Sequence, residues 1–160
     1  MSSKITFALA FAAILIFTSA AAPSTNAAPT DDACALLTGA QVSAGVSIPV
    51  KDGVPITPTD HKVCTWSATK PVPKSTKLVT LMLQTSDWFD KGKAAHLAGT
   101  VTTPVTGVGD DAFYLALGEN AGLIVKKGNV AFKVAVYADV PLADKEAMEK
   151  TLALQIVSKL

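Results

Sequence analysis

Residues 111–138 read DAFYLALGENAGLIVKKGNVAFKVAVYA, and this stretch decides the fold because two glycine-bearing turns separate three apolar runs. The runs cover about 111–117, 121–127 and 130–138, and their spacing is typical of β-strands. Gly128 and Asn129 suit a two-residue hairpin turn, which pairs Val125 with Phe132. By the same turn Leu123 pairs with Val134, so the stretch predicts a three-stranded antiparallel meander.

The first turn of the meander determines which side chains share a face. If residues 118–120 form a three-residue loop, Leu115 pairs with Leu123. Phe113 then pairs with Val125, and both turns place one apolar set on a single face, which we expect to be buried. That set is Phe113, Leu115, Leu117, Leu123, Val125, Phe132, Val134 and Val136.

The remaining elements surround this meander. The pattern predicts helices over about 33–37, 39–45, 86–97 and 141–159, strands over 62–69 and 77–85, an exposed loop over 47–60, and a short extra strand at 100–103. Runs of antiparallel strands with helices to one side indicate an α+β fold. We expect a sheet of about five to six strands in the order helix–ββ–helix–βββ–helix.

Residues 1–28 have the three parts of a secretory signal peptide. Lys4 is the sole charge before an apolar run over 5–17, and small residues follow at 20–22 and 26–28. A transmembrane anchor is the alternative, but a span needs roughly 20 consecutive apolar residues and this run is shorter. We expect a cleaved leader over 1–28 and a single secreted or periplasmic α+β domain over 29–160, without a later transmembrane segment.

Cys34 and Cys64 are the only two cysteines of the chain. Two cysteines in a secreted protein most often form a disulfide. A catalytic thiol is the alternative, because it needs a nearby base and His61 lies three residues before Cys64. The export signal favours the disulfide.

The charges of the chain argue against nucleic acid as a partner. Its 14 basic residues are all lysines, and 13 acidic residues nearly balance them. A nucleic-acid-binding protein would carry a basic stripe or patch, which this sequence lacks. Without arginine there is also no bidentate fork for phosphate or carboxylate, although lysine still binds such groups as a point charge.

The second face of the meander is the candidate binding face. Small alanines alternate there with tyrosines, which offer amphipathic contacts, and with lysines, which offer charge. Its larger members are Tyr114, Lys126, Lys133 and Tyr137. The alternative is a sheet face that a helix or loop covers, with alanines for close packing.

No other motif indicates catalysis, a cofactor or a metal. The loop over 107–111 combines two glycines with Asp110 and Asp111, but two carboxylates are far fewer oxygens than calcium requires. His61 and His96 are the only histidines, and nothing gathers further zinc ligands around them. We therefore interpret the loop as a turn that enters a strand and assign no metal, cofactor or catalytic residue.

Several short segments resemble a broad set of small secreted bacterial proteins. They are DACALLT at 32–38, Val42, Gly45, CTW at 64–66, GVGD at 107–110 and AFKV at 131–134. Proteins of this set carry a Cys-Xaa-Leu-Leu-Thr helix, a second cysteine before an aromatic residue and a Gly-Val-Gly-Asp turn. Many are known only as domains of unknown function, and many are lipoproteins of the cell envelope.

The resemblance implies a Cys34–Cys64 disulfide and an extracytoplasmic bacterial setting, and it supplies no catalytic residue. Asp31 and Asp32 depart from the apolar context of a lipid-modified cysteine, so membrane anchoring is not carried over. The element order is also similar to that of PsbP-type α+β domains.

These observations favour a non-enzymatic secreted, periplasmic or cell-envelope module that binds a protein or small ligand. One alternative is an extracytoplasmic, hydrolase-like enzyme that uses His61 or His96. Another is a structural or inhibitory protein of the envelope.

Overall fold

The computed structural model describes residues 31–70, 78–95 and 98–160. A 3-10 turn at Ala33–Ala35 precedes the helices α1 (Gly39–Val46), α2 (Ser86–Ala94) and α3 (Leu142–Val157). The strands are β1 (Val54–Thr57), β2 (Asp60–Trp66), β3 (Val79–Thr85), β4 (Val101–Val105), β5 (Asp111–Ala116), β6 (Leu123–Lys127) and β7 (Val130–Val136). The predicted leader over 1–28, the start of the strand predicted from residue 77, and the helix end at 96–97 lie outside the described residues.

The seven strands form one antiparallel sheet in the order β1-β2-β3-β7-β6-β5-β4. The α+β class is confirmed, but the prediction of about five to six strands is wrong. Strand β1 lies within 47–60, where prolines and glycine predict a loop, and it tolerates Pro55 because an edge strand has only one neighbour. Strand β4 is the other edge, and it extends to Val105.

The two turns of the meander differ in how well the sequence predicts them. The pairing of Val125 with Phe132 across the β6–β7 turn is confirmed. The β5–β6 turn holds two residues rather than three, because Leu117 already pairs with Asn120. Gly118 has a φ of 59°, which suits the first position of a type II′ hairpin turn.

The shorter turn shifts the register of β5 by one residue. Phe113 pairs with Ile124 instead of Val125, and Tyr114 pairs with Leu123. A one-residue shift moves every side chain of a strand to the other face. The prediction that Phe113 shares a face with Val125 is therefore wrong, and the same holds for Leu115 and Leu117, which follow Phe113 at two-residue steps.

Helices cover both faces of the sheet, so the expectation of helices to one side is also wrong. The 3-10 turn, α1 and α3 lie over one face, where α3 contacts β6, β7 and α1. Helix α2 packs on the opposite face against β3, β6 and β7. It forms a second, smaller cluster that contains Phe89, Phe113, Ile124 and Ala131.

Local sequence explains the packing of the main core. Thr38 caps α1 through a reciprocal capping box with Gln41, and Val42 and Val46 are fully buried on its inner side. Trp66 is also fully buried, beside the disulfide. Gly53 must lack a side chain, because a Cβ there would lie 2.6 Å from the sulfur of Cys64 and 2.7 Å from the Trp66 ring.

A disulfide joins Cys34 in the 3-10 turn to Cys64 in β2, with a Cα–Cα distance of 5.1 Å. The predicted pairing is confirmed, and no free cysteine is present among the described residues. Asp32 supports the turn, since its side chain accepts a hydrogen bond from the Cys34 amide at 2.9 Å. The disulfide connects the start of the described chain to the sheet.

Strand β4 carries a proline at its free edge. Leu115 exchanges both backbone hydrogen bonds with Gly122, at 3.0 and 3.1 Å, so Leu115 and Phe113 direct their backbone groups toward β6. Thr102 and Pro104 of β4 pair with these two residues. Their backbone groups consequently point away from the sheet. Because proline has no N–H, this edge lacks a donor at Pro104.

Replacing Cys34 and Cys64 together by alanine should lower the free energy of unfolding by about 3–4 kcal/mol, since the bond closes a loop with a separation of 30 residues. Urea unfolding followed by tryptophan fluorescence measures the change. Alkylation of the denatured wild type before reduction should modify no thiol. A double variant as stable as the wild type would contradict the prediction.

Candidate functional site

The four residues of the candidate binding face do not share one face. Lys126, Lys133 and Tyr137 lie on the side of the sheet that α2 occupies, because they alternate with buried core residues of β6 and β7. Tyr114 lies on the opposite side, since it pairs with Leu123 of the main core. The expectation of a common surface is wrong for Tyr114, and the shifted register of β5 is the reason.

Tyr114 supports α3. Its side chain is only 8% exposed, and its hydroxyl donates a hydrogen bond to the backbone oxygen of Glu146 at 2.5 Å. Burial, together with the nearby carboxyl groups of Glu149 and Glu146, raises the pKa of Tyr114 to about 12. Tyr114 is therefore a neutral contact between β5 and α3.

Lys126 is engaged by α2. Its ammonium group lies 2.9 Å from a carboxylate oxygen of Asp90 and 5.8 Å from the centre of the Phe89 ring. Lys93 approaches the same ring at 5.9 Å and forms a salt bridge of 2.5 Å with Asp111. These contacts hold α2 on the sheet through ion pairs and cation–π attraction.

Lys133 differs from Lys126 in forming no salt bridge within the described residues. Within residues 31–70, 78–95 and 98–160, no carboxylate lies within salt-bridge distance of Lys133. Its chain lies across Gly122, where an added Cβ would be 2.3 Å from the Lys133 Cε atom. The Lys133 side chain can therefore pack directly on the backbone at Gly122, because this residue has no side chain.

Lys133 lies among residues that neither hydrophobic cluster contains. Val63 pairs with Met82, and Met82 pairs with Lys133, so the three form a row across β2, β3 and β7. Tyr137, at the end of the same face, is 37% exposed. We call this region the open face; its members are Val63, Thr80, Met82, Lys133, Ala135 and Tyr137.

Glu149 of α3 is a fully buried carboxyl group at the end of the sheet where β6 begins. Its Oε1 accepts a hydrogen bond from the Val136 amide at 2.9 Å, in the place where a further β6 residue would have paired. Its Oε2 has no hydrogen-bond partner among the described residues. The carboxyl group therefore accepts the hydrogen bond that a neighbouring strand would have accepted from Val136, and its Oε2 is left without a partner within the described residues.

Burial, with a smaller contribution from the neighbouring Glu146, raises the pKa of Glu149 to a net value of about 7. The Val136 amide, the charge of Lys133 and the Leu123 backbone oppose it by favouring the ionised form. Burial outweighs these contacts, so the carboxyl group exchanges its proton near neutral pH.

Sequence reasoning missed Glu149 because it followed the apolar spacing of Met148, Leu152 and Ile156 along α3. The structure instead buries a stripe at three- and four-residue steps that includes two charged side chains. Its members are Lys145, Glu149, Leu152, Ala153 and Ile156. The same spacing was available in the sequence, but charged residues rarely occupy such a stripe.

The Gly-Val-Gly-Asp loop has a structural role in the described chain. Asp110 accepts hydrogen bonds from the Gly128 amide at 2.7 Å and from the Lys127 ammonium group at 2.9 Å. The Gly128 contact is the main reason that the pKa of Asp110 is lowered, and Lys127 adds to the effect. The loop thereby joins the start of β5 to the β6–β7 turn.

The described residues contain no cluster of three or more His, Cys, Asp or Glu side chains that could hold a metal ion. His61 is exposed on β2, and His96 lies outside the described residues. Hydrolase chemistry at either histidine stays a prediction. None of the helices in 31–70, 78–95 and 98–160 has the length and apolar character to cross a membrane.

Comparison with known proteins gives no family model that matches the chain and no curated protein that is similar to it.

The raised pKa of Glu149 predicts that stability falls as the pH rises. The folded protein keeps this proton up to about pH 7, whereas the unfolded chain loses it near 4.5, so folding is favoured most below that range. Between pH 5 and pH 8 the wild type should lose at most about 3 kcal/mol relative to Glu149→Gln, a neutral isostere. Urea unfolding at several pH values gives the difference, and parallel profiles for the two proteins would contradict it.

Proposed function

We propose that the chain is a non-enzymatic, extracytoplasmic binding module whose open face holds a small amphipathic anion, an apolar chain that ends in a carboxylate. The observation that carries this proposal is Lys133, a partly buried lysine that forms no salt bridge within the described residues, on a face made otherwise of apolar and hydroxyl side chains.

The charge of Lys133 supports an anion. Lys126 of β6 and Lys93 of α2, on the same side of the sheet, already have Asp90 and Asp111 as partners. An ammonium group that is partly withdrawn from water attracts an incoming carboxylate more strongly than a fully solvated one does. Lysine binds such a group as a point charge, which suits a chain without arginine.

The neighbours of Lys133 support an apolar chain behind the carboxylate. Val63 and Met82 extend from Lys133 toward β1 and are partly buried, so they offer apolar contact. The unbranched side chain of Met82 adapts its shape to a ligand. Tyr137 provides an exposed aromatic ring at the far end of the same strand face.

The disulfide supports the extracytoplasmic location, because such bonds persist in oxidising compartments. We also infer from the sequence that residues 1–28 are a signal peptide and that the chain is similar to small secreted bacterial proteins of the envelope.

Titration calorimetry with decanoate at pH 6.5 tests the proposal. We expect saturable binding with a Kd on the order of 10–100 µM. Lys133→Met should weaken it about tenfold, because the ligand carboxylate loses a charge-assisted contact. Lys62→Met is the matched control, since Lys62 is an exposed lysine of β2 on the other side of the sheet.

Decanol, which has the apolar chain without the charge, should bind more weakly than decanoate and should not distinguish Lys133→Met from the wild type. Equal loss of affinity in Lys62→Met and Lys133→Met, or no saturable binding of decanoate, would refute the open face as the site.

A further inference from the structure

We infer that the ligand of the open face is a long-chain carboxylate of about 14 carbons, which lies across the strands with its carboxylate at Lys133 and its methyl end on the edge strand β1. This inference rests on the proposed function and adds the length and the direction of the bound chain.

Strand β1 presents two exposed apolar side chains beside the open face. Val54 is 56% exposed and Ile56 is 48% exposed. Val54 pairs with Thr65, and Thr65 pairs with Thr80 of the open face, so these side chains lie on the same side of the sheet. Ile56 follows Val54 two residues later, where the register of β1 shifts. We call Val54 and Ile56 the β1 rim.

An apolar path leads from Lys133 toward the β1 rim. Lys133 pairs with Met82, and Met82 pairs with Val63 of β2, the strand next to β1. Both Met82 and Val63 are partly buried. Thr65, the next residue of β2 on this side, donates its hydroxyl to the backbone oxygen of Val54 at 3.2 Å, so its hydrogen bond is made within the protein.

The width of the sheet sets the length of a chain that spans this path. The ammonium group of Lys133 lies 3.3 Å from the position of a Cβ on Gly122, which directly precedes β6. The sheet order places β1 four strand spacings from β6, and spacings of about 4.8 Å give a distance of about 19 Å.

A carboxylate in contact with the ammonium group takes up about 3 Å of this distance. An extended alkyl chain with C–C bonds of about 1.5 Å advances about 1.25 Å per carbon, so a chain of about 14 carbons ends at β1. Decanoate covers about three of the four spacings and ends near Val63. The longer chain therefore gains contact with the β1 rim, and its apolar end is withdrawn from water there.

Calorimetry at pH 8 with octanoate, decanoate, dodecanoate, tetradecanoate and hexadecanoate, each below its micelle concentration, tests the length. Full burial of a methylene is worth about fourfold in affinity, and a chain lying on one face is covered on one side, so we expect about twofold per methylene. The affinity should rise about 16-fold from decanoate to tetradecanoate and less than about twofold from tetradecanoate to hexadecanoate, whose end extends beyond β1.

The direction is tested by replacing the β1 rim. Val54→Thr combined with Ile56→Thr keeps the branched side chains that suit a strand but removes apolar contact. Tetradecanoate should bind about fivefold more weakly to this variant, whereas the affinity for decanoate should change by less than about 1.5-fold. Val101→Thr combined with Leu117→Thr is the matched control, because these residues are 63% and 60% exposed near the opposite edge of the sheet.

The outcomes separate the two proposals. If the affinity stops rising at decanoate, rises at the same rate through hexadecanoate, or falls equally for tetradecanoate in the rim and control variants, this placement of the chain is overturned and decanoate binding at Lys133 stands. A rim variant that binds tetradecanoate like the wild type would overturn it as well. The absence of saturable decanoate binding would overturn both proposals. If the rim variant does not fold, the chain-length series with the wild type still decides.

Discussion

The two-residue turn at Gly118 and Glu119 is the constraint on which the arrangement of this protein depends, because it fixes the register of β5 against β6. That register sends Phe113 toward α2 and Tyr114 toward α3. Helix α2 consequently has an apolar surface to cover, and α3 gains a polar contact. A turn longer by one residue would exchange these two side chains and leave α2 without the ring that packs on Phe89 at 5.2 Å.

Sequence patterns predict the elements of the fold that depend on residues close together in the chain. The cap at Thr38 and the β6–β7 pairing follow from residues close in sequence, and the disulfide follows from the cysteine count together with the predicted export signal. The register of β5 does not, since the alternation of Phe113 and Leu115 is compatible with either face. Alanine and tyrosine at alternate positions are apolar enough for a core, so pattern alone could not decide.

The candidate site was partly predictable for a related reason. Lys133 and Tyr137 belong to β7, whose register the Gly128 turn determines correctly. Glu149 belongs to a helix whose position over the sheet depends on tertiary packing, and a carboxyl group that completes a strand edge has no signature in a one-dimensional pattern. The position of Lys133 on the open face depends on Gly122, whose role is the absence of a side chain.

The proline at the outer side of β4 affects how copies of this protein behave toward one another. The two edge strands of this seven-stranded sheet could in principle pair with strands of other molecules. Pro104 removes a hydrogen-bond donor from the β4 edge, and β1 at the opposite edge also contains a proline. At high concentration, copies of the protein should consequently remain separate instead of pairing edge to edge into continuous intermolecular sheets.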